Sequence, residues 1–137
     1  MKPKVAFVDT GAWIALALSR DPLHARAAAA WSDLMSGGAR VVSSIPVVLE
    51  TFTFLERNVS RDLALGWKDS LEQVPRFRLI ECTRADVGRA WEYFARRDLH
   101  KLSAVDATSF AIMKREGLRL AFSFDAHFAA AGFRLVG

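Results

Sequence analysis

The chain has 137 residues, of which 52% are hydrophobic and a single one, Cys82, is a cysteine; we therefore expect one domain over residues 1–137, with one core and no internal disulfide framework. The 19 Lys and Arg residues outnumber the 15 Asp and Glu residues, which favours a polyanionic partner, although ordinary surface charge would give the same balance. A strand pattern begins at Lys4 with no charged and then apolar leader before it, and no apolar stretch approaches the roughly 20 residues needed to cross a bilayer, so we expect a cytoplasmic protein that does not enter the membrane.

Short apolar, β-rich segments alternate along the chain with segments of helical periodicity, a pattern typical of an α/β domain built on a parallel sheet. We predict strands over residues 4–8, 41–42, 77–80, 120–124 and 133–136. We predict helices over residues 11–19, 22–36, 46–57, 60–74, 83–97 and 103–116. Pro46 in a first turn, and Ser60, Thr83 and Ser103 at helix starts, support these boundaries.

Four carboxylates lie inside otherwise apolar segments: Asp9, Glu50, Asp106 and Asp125. The segments are VAFVDTGAWIAL, IPVVLETFTFL, LSAVDATSFAIM and LAFSFDAHF, and none of them contains a lysine or an arginine. Such neighbours place each acid close to a core, where an isolated ionised carboxylate costs several kcal/mol. A divalent cation held by several of the acids would compensate that cost, because hard cations such as Mg²⁺ and Mn²⁺ prefer carboxylate oxygen.

The predicted elements bring these acids to one edge of the sheet. Asp9 and Asp125 follow strands, while Glu50 and Asp106 lie in about the first turn of helices, and in open α/β folds the ligand crevice lies outside the carboxyl ends of the strands. Each acid also has an ordinary explanation: Asp9 and Asp125 as helix N-caps, Asp106 in a Ser-x-x-Asp capping box with Ser103, and Glu50 as a first-turn acid. Capping does not require apolar residues around all four acids, so their joint occurrence favours a metal site.

The same residues carry a resemblance to a known family. It rests on four blocks, which are V-D-T-G-A-W at 8–13, a serine and a glutamate at the two ends of 43–50, L-S-x-x-D-A at 102–107 and F-S-F-D-A-H-F at 122–128. Together these blocks resemble the PIN-domain nucleases, and most of all the VapC-type toxins of prokaryotic toxin–antitoxin pairs. The resemblance covers essentially the whole chain. It implies a three-layer α/β/α PIN-like domain with a central, mainly parallel sheet of four or five strands.

The resemblance further implies an endoribonuclease that hydrolyses RNA phosphodiester bonds with Mg²⁺ or Mn²⁺. In that family four acids form the active site, which would here be Asp9, Glu50, Asp106 and Asp125. We expect Asp9, Asp106 and Asp125 to bind the metal, which would lower the pKa of a bound water and stabilise the leaving oxygen. We expect Glu50, on its longer side chain, to be an outer ligand or to orient the water and act as its base.

Residues close to the acids are candidates for supporting roles. The small hydroxyl residues of the family correspond to Thr10, Ser43 and Ser123, and we expect Thr10 and Ser123 to orient carboxylates or water. Basic residues before the Ser103 helix, and the histidine after Asp125, could contact the RNA backbone or could equally be ordinary surface groups. These candidates for RNA contact are Arg96, Arg97, Lys101 and His127.

Three partners follow from these patterns. The resemblance implies an RNA substrate and a cognate antitoxin protein that holds the enzyme inactive. The alanine-rich helix with Trp31, together with the many apolar residues of a small domain, leads us to expect a homodimer. The other tryptophans, Trp13, Trp67 and Trp91, lie at mainly apolar helical positions, so we expect them to pack rather than to stack on bases.

Other functions are compatible with part of the pattern. An RNA-processing nuclease outside a toxin–antitoxin pair would share the chemistry, and a non-catalytic PIN domain that binds RNA or a protein partner would share the fold. Receiver domains and haloacid-dehalogenase-like phosphatases also place acids at strand ends, but they need an acidic pair or an Asp-x-Asp motif on the first strand. Here Asp9 follows Val8 and precedes Thr10 and Gly11, so metal-dependent phosphoryl transfer is disfavoured.

Overall fold

Five parallel strands form the central sheet in the computed structural model, which describes residues 3–137. The strands are β1 Val5–Val8, β2 Arg40–Ser44, β3 Phe77–Ile80, β4 Leu120–Phe122 and β5 Arg134–Val136. Their order across the sheet is β3-β2-β1-β4-β5, and every neighbouring pair is parallel. The central strand β1 reads VAFV, as expected for a strand that is covered on both faces. The parallel sheet predicted from the sequence is confirmed.

Helices connect the strands and cover the sheet. Within residues 3–137 they are α1 Thr10–Ala17, α2 His24–Ser36, α3 Ile45–Asn58, α4 Arg61–Ser70, α5 Arg84–Glu92, α6 Ala104–Arg115 and α7 Ala126–Ala130. Two 3₁₀ turns, Leu71–Gln73 and Tyr93–Ala95, extend α4 and α5. This alternation gives the three-layer α/β/α architecture that the sequence predicts.

Several predicted elements are shorter in the structure, and two of these differences concern candidate site residues. The helix expected over 83–97 is α-helical only to Glu92 and continues as a 3₁₀ turn, so Arg96 and Arg97 lie in the loop that follows. The strand expected over 120–124 ends at Phe122, because the Ser123 hydroxyl accepts a hydrogen bond from Asp125 N (3.0 Å) and turns the chain into α7. Each shortening places polar residues in a loop rather than inside a regular element.

Trp13 is the centre of an aromatic cluster in the core. It is 3% exposed, and its ring lies 5.8 Å from that of Trp31 and 6.0 Å from those of Trp67 and Phe77. Trp31 is therefore engaged in packing within the chain. Trp31 is half-buried despite this packing, and the homodimer stays a prediction.

The most exposed large apolar side chains among residues 3–137 lie on other helices. Leu49 on α3 is 62% exposed and Trp91 on α5 is 60% exposed, with the ring of Phe94 beside that of Trp91. Of the core or interface packing expected for Trp91, its exposure leaves packing at an interface. Within the same residues, no helix combines the length and the apolar character that a membrane span requires.

Candidate active site

The four acids singled out in the sequence line one crevice at the carboxyl ends of the central strands. The crevice has a volume of about 380 Å³, and its lining contains Asp9, Glu50, Asp106 and Asp125. No lysine or arginine contributes to the lining within residues 3–137. The topology therefore gathers negative charge from four distant sequence positions without bringing a basic side chain to neutralise it.

Asp9 directly follows the last residue of β1 and is the N-cap of α1. Its Oδ1 accepts a hydrogen bond from Thr10 N at 2.7 Å, and its Oδ2 accepts one from the Ser123 hydroxyl at 2.9 Å. Burial raises the pKa of Asp9 to about 6, the charges of Asp125 and Glu50 add to the rise, and the two hydrogen bonds oppose it. The N-cap alternative is thus correct for Asp9, but capping leaves the carboxyl group buried beside other acids.

Asp106 is the third residue of α6, behind the N-cap Ser103. The Ser103 hydroxyl accepts a hydrogen bond from Asp106 N at 3.0 Å, but the Asp106 carboxyl group makes no return bond to Ser103 N. Only half of the capping box predicted for this pair therefore forms. Burial first, and then the charge of Asp9 and a hydrogen bond to Asp125, raise the pKa of Asp106 to about 8.

Asp125 caps the short helix α7. Its Oδ1 accepts a hydrogen bond from His127 N at 2.9 Å, and His127 Nδ1 lies 3.0 Å from the same oxygen. Burial acts to raise the pKa of Asp125, but the hydrogen bonds from His127 and Asp106 outweigh it and lower that pKa. The two neighbouring carboxyl groups are thus shifted in opposite directions: the protonated form is favoured at Asp106 and the ionised form at Asp125.

Glu50 reaches the crevice from the second turn of α3, which begins at Ile45 and has no acid in its first turn. The sequence placed Glu50 in about the first turn, so its explanation as a first-turn acid does not hold. Its charge contributes to the raised pKa values of both Asp9 and Asp106. The position of Glu50 is thus explained by the crevice rather than by the end of its own helix.

The three predicted hydroxyl residues have different surroundings. Ser123 contacts the site directly, since its hydroxyl donates to Asp9 Oδ2. Thr10 lines the crevice, and its buried Oγ1 has no hydrogen-bond partner within residues 3–137. The Ser43 hydroxyl instead donates to Val8 O at 2.8 Å and accepts from Trp13 Nε1 at 3.1 Å, so it ties β2 to β1 and to the core behind the acids.

The side chains present fit a hard divalent cation. Asp106, Asp125 and His127 each offer one ligand atom, and these atoms lie within 4.8 Å of one another. The unpartnered Thr10 hydroxyl and the raised pKa values of two carboxyl groups also fit a site that would gain from a cation and its waters. Asp9 is outside the group of three, and His127, expected to face the RNA, is a member of it.

The candidate RNA contacts are not equally free. Arg96 donates to Asp98 at 2.6 Å and to Ala130 O at 2.8 Å, so its guanidinium is held by the protein. His127 Nε2 lies 2.6 Å from His100 O, which ties α7 to the loop before α6. Lys101 is exposed in that loop and adopts a left-handed backbone conformation with φ 53°. Arg97 is exposed in the same loop.

Comparison with known proteins covers almost the whole chain. A sequence model of the PIN domain matches residues 6–134. This chain belongs to the PIN-domain family. A relative from Mycobacterium tuberculosis, named 23S rRNA-specific endonuclease VapC20, is 39% identical to this PIN-domain protein over 129 residues, which is 93% of this chain and 94% of the relative.

Solved structures give the same result for the fold of this PIN-domain protein. The crystal structure of VapC20 from M. tuberculosis, described as a Sarcin-Ricin loop cleaving toxin, matches with a TM-score of 0.82 and 35% identity over 95% of this chain and 96% of that one. FitAcB from Neisseria gonorrhoeae matches with a TM-score of 0.70 at 18% identity, over 97% and 96% of the two chains. At that identity the second match concerns the fold alone. The resemblance read from the four sequence blocks is thereby confirmed.

Proposed function

We propose that this PIN-domain protein is a metal-dependent endoribonuclease and the toxin of a toxin–antitoxin pair. The observation that carries the proposal is the convergence of Asp9, Glu50, Asp106 and Asp125 on one crevice without a basic side chain in its described lining. The 39% identical relative named as an endonuclease supports the reaction class, and its structure described as a toxin supports the biological role. Such a toxin would act in the cytoplasm, where RNA is present.

Asp9, Asp106 and Asp125 are the proposed ligands of a Mg²⁺ or Mn²⁺ ion. When bound, the ion would supply positive charge that neutralises phosphate oxygens and acidifies water. Asp106 must release its proton on loading, because carboxyl groups bind metals as anions. Thr10 N and the Ser123 hydroxyl donate to the two oxygens of Asp9 at 2.7 and 2.9 Å, so the orientation of its carboxyl group is fixed.

Glu50 is the proposed base. Its carboxylate makes no hydrogen bond or ion pair within residues 3–137, so both oxygens can orient the attacking water and accept its proton. The Thr10 hydroxyl, buried and unpartnered, would give that water a second contact. Lys101, exposed just before α6, would contact a phosphate of the RNA at the edge of the crevice.

We propose two protein partners for the chain. One is an antitoxin, which the resemblance to VapC-type toxins implies and which the match to the 35% identical structure described as a cleaving toxin supports. The other is a second copy of the chain, and the exposed Leu49 and Trp91 are the apolar side chains available for that contact. Sedimentation at micromolar concentration should report a dimer, and a monomer would reject this assembly without affecting the catalytic proposal.

The reaction is tested with purified protein and RNA. We expect cleavage of RNA with Mg²⁺ or Mn²⁺ and none with a chelator, and 23S rRNA belongs among the substrates because of the named relative. Millimolar metal should also raise the melting temperature, since it binds only the native crevice, and Asp9→Asn should remove most of that rise. Binding of RNA without cleavage under every metal condition would instead support a non-catalytic PIN domain.

The toxin role needs a separate test. Expression of the active chain should arrest growth, and co-expression of the product of a small neighbouring reading frame should restore it. Cleavage in vitro without arrest of growth would move the assignment to an RNA-processing nuclease.

A further inference from the structure

A second cavity lies between α5 and α6, outside the acidic crevice. It has a volume of about 610 Å³, and its walls carry four cationic side chains together with Glu92 and Tyr93. The cations are Arg89, Arg96, Lys114 and Arg115. We call this cavity the basic groove. None of the four crevice acids lines it, so its charge has the opposite sign to that of the proposed active site.

Two of the groove arginines are held by the protein itself. Arg115 donates to Asp86 at 2.9 Å and to Glu116 at 2.8 Å, and Arg96 donates to Asp98 and to Ala130 O. Their charges are largely compensated by these carboxylates. They form fixed walls of the basic groove rather than free binding groups.

Arg89 and Lys114 differ from these two arginines. Within residues 3–137 neither has a carboxylate within the 4.0 Å of an ion pair, although both are exposed. Lys114 Nζ lies 5.4 Å from the ring centroid of Tyr93, whose side chain is 8% exposed and therefore fixed. The groove thus presents two uncompensated cations, one on each helix, with Glu92 as the nearby acid of its described wall.

We propose that the basic groove binds phosphates of the RNA backbone that flank the cleaved bond. This inference rests on the proposed function and adds a second RNA-binding site to it. Lys114 follows Asp106 by eight residues on the same helix, about 12 Å along its axis, and Arg96 is bonded to the end of α7, whose N-cap is Asp125. One RNA chain can therefore contact both sites. An acidic crevice repels the RNA backbone, so binding outside the crevice gives the affinity that the crevice lacks.

The test measures binding of poly(U), a single-stranded RNA, in the presence of a chelator, so that RNA stays intact whether or not the protein is a nuclease. Arg89→Gln with Lys114→Gln should weaken binding roughly tenfold at low salt. Each lost phosphate contact should reduce the slope of log K against log salt by about 0.7, so the double variant should lose about 1.4. The matched control is Arg40→Gln with Arg134→Gln. These arginines begin β2 and β5, at the ends of the strands away from the crevice. The control removes the same charge and should leave the salt slope close to that of the parent.

Glu92→Gln should change the affinity for poly(U) in the opposite direction to the double variant. It removes the acid from the groove wall and should tighten poly(U) binding severalfold while leaving the melting temperature unchanged. This single variant keeps the proposal testable even if the double variant is destabilised by the lost contact of Lys114 with Tyr93.

Three results would overturn the proposal: equal loss of affinity in the Arg40/Arg134 control, an unchanged salt slope in the double variant, or weaker binding by Glu92→Gln. Loss of antitoxin binding by the double variant with unchanged poly(U) affinity would also overturn it, in favour of an acidic protein segment in the groove. A short oligonucleotide that occupies only the crevice should be cleaved equally by the parent and the double variant. If the basic groove does not bind RNA, this cleavage is still observed. If the protein is not a nuclease, neither protein cleaves the oligonucleotide.

Discussion

Asp86 and Asp106 occupy equivalent positions in two helices, but only one of them has a cationic partner. Each is the third residue of its helix, behind a hydroxyl N-cap, and the two residues are 0% and 9% exposed. Two nitrogens of Arg115 donate to Asp86, each at 2.9 Å. Within residues 3–137 no lysine or arginine pairs with Asp106.

The two acids consequently have opposite protonation behaviour. Burial acts to raise the pKa of Asp86, but hydrogen bonds from Arg115 and Thr83 outweigh it and lower that pKa. Burial and the neighbouring acids raise the pKa of Asp106 to about 8. A capped and buried carboxylate is therefore not evidence of function in itself. What distinguishes the active-site candidate is that the protein supplies no cation for it.

The largest expected effect on stability comes from removing the cation of the paired acid. Arg115→Gln leaves Asp86 buried without its partner and should lower the free energy of unfolding by about 3 kcal/mol, measured by urea denaturation. Arg134→Gln, an exposed arginine at the start of β5, is the control and should change it by less than about 0.5 kcal/mol. If Arg115→Gln is as stable as the parent, Asp86 does not depend on Arg115, and the proposed difference between Asp86 and Asp106 does not hold.

A medium effect comes from pH in the presence of a chelator. The folded-state pKa values of Asp9 and Asp106, about 6 and about 8, lie above the value of 3.8 for a free carboxyl group, so the folded protein binds more protons than the unfolded one between these limits. Stability should therefore fall as pH rises from about 4 to about 8. Asp86, whose pKa is lowered, contributes stability that is lost only as pH falls below about 4.

Asp106→Asn is the variant that isolates this pH effect. It removes the group with the higher pKa, so much of the decline between pH 6 and pH 8 should disappear, and the metal-free variant should be more stable than the parent at pH 8. Added Mg²⁺ should flatten the curve of the parent but not that of the variant. If the stability of the unmutated protein rises over this pH range, other groups of the protein must compensate the charges of the crevice acids.

The difference between the surroundings of Asp86 and Asp106 was partly predictable from the sequence. Asp106 lies in the apolar segment LSAVDATSFAIM, whereas Asp86 lies in T-R-A-D with an arginine two residues before it. Flanking composition therefore singles out the acid that lines the crevice, because apolar neighbours on both sides indicate a position at the edge of the core. Apart from α7, for which no helix was predicted, the order of strands and helices was predictable for the same reason, since apolar segments and cap residues mark the elements.

Contacts between distant residues were not predictable. Arg115 pairs with Asp86 across 29 positions of sequence, and no local pattern indicates that pairing. The half-formed capping box of Ser103 and Asp106 has the same sequence signature as the complete box of Thr83 and Asp86. Only the packing of α6 against the crevice determines where the Asp106 carboxyl group points. The contact of His127 with His100 O is equally invisible in the sequence.

The smallest expected effect concerns the cap of α6. Ser103→Ala removes the hydroxyl that accepts from Asp106 N and should lower the free energy of unfolding by about 1 kcal/mol. Cleavage per folded molecule should remain close to that of the parent, because the Ser103 hydroxyl makes no hydrogen bond to a crevice carboxylate. A loss of cleavage far beyond the loss of folded protein would show that Ser103 takes part in the chemistry.

The most direct measurement is RNA cleavage by Asp106→Asn at saturating Mg²⁺, with folding confirmed by its thermal transition. Asparagine keeps the size of the side chain and the backbone bond to Ser103, but it lacks the negative charge that a divalent ligand needs. We expect a loss of cleavage by orders of magnitude, with RNA binding unchanged or tighter because one repulsive charge is gone. Cleavage at close to the parental rate, in a preparation free of contaminating nuclease, would contradict the claim that the uncompensated acids form the metal-binding active site.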